Sequence, residues 1–126
     1  MKLATIGLTA ALLVANAAPA HHSPIVFDRT RQVTLTGVVT DFRWGNPHSW
    51  IHVDVTDSDG KVANWGIEMN PASNLARDGW RSTTLKTGDK ITVVVFPLRN
   101  DEAGGQYISV TLPDGTKLGQ RDDGVL

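Results

Sequence analysis

The chain has 126 residues, with 12 basic and 13 acidic side chains, a formal net charge of −1 and no cysteine. That balance leaves it without the basic field of a nucleic-acid-binding domain or the polybasic patch that holds anionic lipid. The missing cysteines exclude a disulfide framework, thiol redox chemistry and Cys-ligated metal sites.

The first segment, Met1-Lys2 followed by an uncharged run from Leu3 to Ala15, reads as the basic start and apolar stretch of a signal peptide. Ala18-Pro19-Ala20 supplies the small-x-small cleavage pattern, so residues 1–20 are expected to be removed and His21 to become the first residue. Ala15-Asn16-Ala17 fits the same rule, and cutting there would leave three residues ahead of His21. The apolar run is shorter than the ~20 residues of a bilayer span, so no stable membrane insertion is expected after cleavage. Residues 21–126 then form one exported domain, periplasmic or secreted, large enough for a single modest core.

Residues 21–31 lack periodicity and read as an extended arm anchored by Ile25, Val26 and Phe27. A first strand is predicted over Gln32 to Phe42, with Val33, Leu35, Gly37 and Val39 on one face and a bend at Gly37. Trp44-Gly45-Asn46-Pro47-His48 is a turn by its Gly and Asn-Pro signals. Ser49 to Thr56 alternates as a strand, with Ile51, Val53 and Val55 opposite Trp50, His52 and Asp54. Asp57 to Gly60 turns the chain into a third strand, Lys61 to Met69. Asn70 as N-cap and Pro71 as first helical residue predict a short helix to Asp78, closed by Gly79, with Leu75 and Trp80 plugging the core. Strands over Lys90 to Phe96 and Tyr107 to Leu112 follow, joined by a polar loop from Arg99 to Gly105, and residues 120–126 read as a frayed tail. The order β-β-β-α-β-β predicts an all-β domain with one short helix, a small OB-like five-stranded barrel.

Three features carry possible chemistry. An N-terminal histidine chelates Cu²⁺ through its amine and ring nitrogen, and one further imidazole completes the three-nitrogen tetragonal set that copper prefers. His21, His22 and His48 are the candidate metal ligands, with His52 as the alternate third nitrogen. The arrangement is similar to the histidine brace of lytic polysaccharide monooxygenases and some periplasmic copper carriers, but only at the terminal histidine. The second feature is the segment from Trp44 to Trp50, where two indoles flank a rigid turn. Trp44, Asn46 and Trp50, with Glu68, are the candidate ligand or partner surface, unless Asn46 merely braces the turn and the indoles close the barrel end. Third, His52, Asp54, Asn64 and Glu68 form a polar face, with His52 expected near Trp65 or Glu68 across the hairpin. A His–carboxylate pair there serves acid–base catalysis or, more commonly, cross-strand pairing on a solvated sheet face. Arg77 and Arg81 read as surface charges, or as holders of an anion near Glu68.

Taken together, these residues resemble a known group. His21-His22-Ser23 after an alanine, Phe27-Asp28, Val33 to Val39, Trp44 to His48, Val53 to Val55, Trp65, Glu68, Leu75, Gly79-Trp80 and Leu85 to Asp89 carry the resemblance. It is to small exported bacterial proteins of a domain-of-unknown-function family with an Ala-His-His-Ser start and an Asn-Pro-His turn. The resemblance implies export and a single domain, and no activity. The expectation is a non-enzymatic binding domain whose ligand is copper or whose partner is a periplasmic protein. The alternatives are an accessory module using a Trp-rich barrel end and, behind it, a small enzyme with a His–carboxylate pair.

Overall fold

The computed structural model describes residues 26–119. The expected signal segment, His21, His22, Ile25 and the tail 120–126 lie outside the described residues. Six strands and one helix follow in order: β1 (Val33–Arg43), β2 (Trp50–Thr56), β3 (Val62–Glu68), α1 (Ala72–Arg77), β4 (Lys90–Pro97), β5 (Gly104–Thr111) and β6 (Lys117–Gly119). The sheet runs β3-β2-β1-β4-β5-β6, and a parallel β3–β5 pairing closes strands β1 to β5 into the OB-like barrel.

The alternation read from the sequence sets the core. Leu35, Val39, Ile51, Val53, Ile67, Ile91, Val93, Val95 and Val110 face inward and are buried, and Leu75, Trp80 and Leu85 plug the same cluster. β1 serves two neighbours: residues 33–38 pair with β4, and residues 37–43 pair with β2. Gly37 stands at the overlap, where a Cβ would collide with the Asp54 carbonyl oxygen and lie 2.8 Å from Val53 Cγ2. The bend expected there is thus a point of close backbone approach, and the register shift itself falls two residues later, between Val39 and Asp41.

Three sequence expectations need correction. The Asn70 carbonyl accepts the Ser49 N–H at 3.2 Å, so Asn70 still extends the β2–β3 ladder. The helix consequently starts one residue late, at Ala72, with Pro71 in the cap position and no side-chain cap. Gly79 does end it, at φ 94°. Gly104 and Gly105, expected in a loop, belong to β5 and form its seam with β3. A Cβ on either would strike Leu98, Phe96 or Val95 at 2.6–2.8 Å, so here glycine marks close packing rather than a turn. Finally, Pro113 to Gly115 turns the chain into β6, a short hairpin partner of β5 that the sequence reading leaves out. Of the arm, Phe27 is buried and bridges Leu98, whereas Val26 is exposed.

Candidate functional site

The segment from Trp44 to Ser49 joins β1 to β2 through a cis Asn46–Pro47 peptide. Its brace is Ser49, fully buried. Ser49 Oγ accepts from the Gly45 N–H and donates to the Gly45 carbonyl, both at 3.2 Å, and that carbonyl also accepts the Ala72 N–H at 3.0 Å. The Ser49 backbone exchanges bonds with Met69 and Asn70 at 2.9 and 3.2 Å. The loop is thereby tied to both the end of β3 and the start of α1. Asn46, assigned the brace in one sequence reading, is exposed.

This clamp sets His48. Its Nδ1 lies 2.9 Å from the Met69 carbonyl oxygen and 3.4 Å from Glu68 Oε1. A carbonyl only accepts, so Nδ1 is the donor, and it is the neutral form of the ring that carries its lone pair on Nε2. Glu68 is only 4 % exposed, which overturns the expectation of a solvated face. The reason is the barrel seam: Glu68 is flanked by Trp50 on β2 and by Gln106 on β5, so its outward position is covered from both sides.

His52 is placed differently. Its cross-strand neighbour is Gly66 rather than Trp65 or Glu68, and its ring stacks on Trp50 at 6.3 Å. His52 Nδ1 is buried without a hydrogen bond, 3.9 Å from Asp41 Oδ2, while Asp41 accepts from Arg43 Nε at 2.7 Å. His52 therefore lies flat on the sheet. Asn64 donates to Asp54 at 2.9 Å and Thr40 at 3.0 Å, the cross-strand arrangement of a structural face. Trp44 packs edge-on against Phe42 at 6.1 Å, and both Trp44 and Trp50 are half-buried.

Beyond Glu68 opens a cleft of about 550 Å³ lined by Arg29, Glu68, Arg77, Phe96, Gln106 and Tyr107, among others. Asp78 also lines it, so the two guanidiniums face two carboxylates and the charge is balanced. Arg77 borders this cleft, whereas Arg81 donates to the Ala76 and Trp80 carbonyls behind α1. Burial pushes the Tyr107 hydroxyl well above the ordinary tyrosine range, with the Trp80 indole N–H acting against that rise and Asp78 adding to it. Among the described residues no group of three or more His, Asp or Glu side chains could hold a metal ion. Nor is any described helix long and apolar enough to cross a membrane.

Sequence reasoning singled out His48 and Glu68 separately but did not join them, and it missed Ser49. A small polar residue opening a strand immediately after a Pro-His turn was the available signal for that brace.

Fold and site together define a small closed OB-like barrel with one buried carboxylate–histidine contact at its seam. The chain belongs to a family of unknown function (DUF6152), whose profile matches residues 10–107. No curated protein matches the sequence. Among solved structures, the chain is similar to the mitochondrial single-stranded DNA binding protein Rim1 of S. cerevisiae, with a TM-score of 0.49 and 10% sequence identity. The similarity covers 65% of this chain and 92% of that one.

Proposed function

We propose that this protein is an exported, non-enzymatic binding domain that takes Cu²⁺ between its N-terminal histidine and His48. One observation carries the reading: His48 Nδ1 is held by the Met69 carbonyl at 2.9 Å, with the Glu68 carboxylate at 3.4 Å. Metal-binding histidines are held in this way, one ring N–H fixed by a carbonyl or carboxylate so that the other nitrogen keeps its lone pair and the ring its direction. His52 has no such partner on Nδ1, which makes His48 the better third nitrogen. One described imidazole does not make a copper site, so the two remaining nitrogens must come from His21, as its terminal amine and ring. Export is supported by the signal-peptide pattern that exposes that amine. An accessory module would need its indoles presented to a partner, and both are half-buried in this fold.

The test is copper titration of protein whose N-terminus at His21 is confirmed by intact mass. The expected result is one tight equivalent, lost in His21→Ala and also lost when one alanine precedes His21. Weak binding, or binding indifferent to both changes, refutes the proposal.

A further inference from the structure

We infer that the protein pairs with a second copy of itself along the open half of β3, edge to edge and antiparallel, about a two-fold axis at Ala63. The copper reading neither requires nor supplies this contact. Three observations converge on it.

The first is the edge. β3 pairs with β2 along its whole length without a register shift, but with β5 only at residues 66–68. The Gly66 N–H bonds to the Ala103 carbonyl at 3.3 Å, so it points away from β2. Successive residues of a strand point to opposite sides, hence Val62 and Asn64 also turn their N–H and C=O groups outward. Among the described residues no hydrogen bond reaches those groups. Such an open row is a template for another strand, and proteins that avoid pairing guard it with a charge, a proline or a bulge. Val62-Ala63-Asn64 carries none of these, and Val62 is 62 % exposed, the most exposed large hydrophobic side chain among the described residues.

The second is that the edge complements itself. With Ala63 facing Ala63 of a second copy, Val62 falls opposite that copy's Asn64, and Asn64 opposite its Val62. These are the residues whose backbone groups point outward, so both pairs exchange N–H···O=C bonds and no outward group between them is left over. Ala63 takes a non-hydrogen-bonded position, where facing side chains stand closest, and its methyl is small enough to meet its own copy there. On the same face Lys61 falls opposite Trp65 of the second copy, an ammonium beside an indole.

The third is the fit at the ends. In this register Gly60 of the second copy arrives opposite Gly66, where Ala103 already occupies the edge. Gly60 is the φ 80° residue of the Asp57 to Gly60 turn, so the incoming chain turns there toward its own β2 and does not run into β5. Glu68 and His48 lie at the opposite end of β3, on the order of 20 Å from Val62 by strand rise, so association leaves the copper site uncovered.

The experiment is sedimentation velocity on the mature protein in excess chelator, from micromolar to millimolar concentration. The expected result is a reversible rise in mass toward twice the monomer. Ala63→Lys sets two like charges face to face and is expected to abolish that rise, as is Ala63→Glu, whereas an equimolar mixture of the two associates again. Ala63 is exposed, so both variants are expected to keep the barrel, which tryptophan fluorescence checks. Hydrogen exchange followed by NMR gives a second readout: the Val62 and Asn64 amides gain protection as concentration rises, while the Ala63 amide, directed at β2, does not change. A parent protein that stays monomeric throughout overturns the inference and leaves the edge to a strand from another protein. Association that survives both variants, or a mixture that stays monomeric, overturns the pairing at Ala63.

Discussion

Replacing Ser49 by alanine tests whether one hydroxyl holds the loop that carries His48. The side chain is fully buried and makes two bonds to Gly45, each at 3.2 Å, toward the long end of the useful range. The Gly45 carbonyl keeps its bond from the Ala72 N–H, so its loss is small, but the Gly45 N–H loses the Ser49 acceptor. An orphaned donor costs about 1–3 kcal/mol, and partial exposure of Gly45 puts the expectation at the lower end, about 1–2 kcal/mol. For a domain of this size that is a fall in Tm of roughly 5–12 °C. Urea and thermal unfolding followed by tryptophan fluorescence measure it directly. A change below ~0.3 kcal/mol would refute the reasoning, since a surface substitution does as little.

Other expectations follow from the same structure. Gly37→Ala forces a methyl into the Asp54 carbonyl and Val53, and about 3 kcal/mol of destabilisation is expected, read by urea unfolding; a neutral effect would mean that the β1 hand-over is not tight. Asp28 is held down from 3.8 to about 2, first by its bonds from Thr30 and then by Arg31. Because the folded value is the lower one, the stability it contributes is complete above about pH 4 and fades as pH falls toward 2; Asp28→Asn should flatten that window in acid unfolding. Tyr107 is the chain's single tyrosine, so tyrosinate absorbance reports it alone. Its raised folded value means that stability is lost as pH climbs past the ordinary tyrosine range, and ionisation should coincide with unfolding instead of preceding it.

The strands were legible because alternation survives wherever one face meets the core, as in Ile51-His52-Val53. The core plugs Leu75 and Trp80 were legible for the same reason, as apolar residues bracketing a short helix. Gly104-Gly105 was misread because a glycine pair signals a loop locally, and only the β3–β5 closure shows that it permits close packing. Asn70 was misread as a cap because its bond to Ser49 comes from a segment 21 residues away. Glu68 was assigned to solvent for a similar reason: local alternation reports which face a residue takes, not whether a barrel seam covers that face. His48 was found as a loop histidine, but its partner Met69 is a backbone carbonyl, which no side-chain pattern encodes.

The copper reading is tested most directly by electron paramagnetic resonance of the one-to-one Cu²⁺ complex, comparing the mature protein with His48→Ala. The account predicts a tetragonal signal with hyperfine structure from three nitrogens, falling to two in the variant. An identical spectrum in both proteins would contradict it, because copper would then be held without His48.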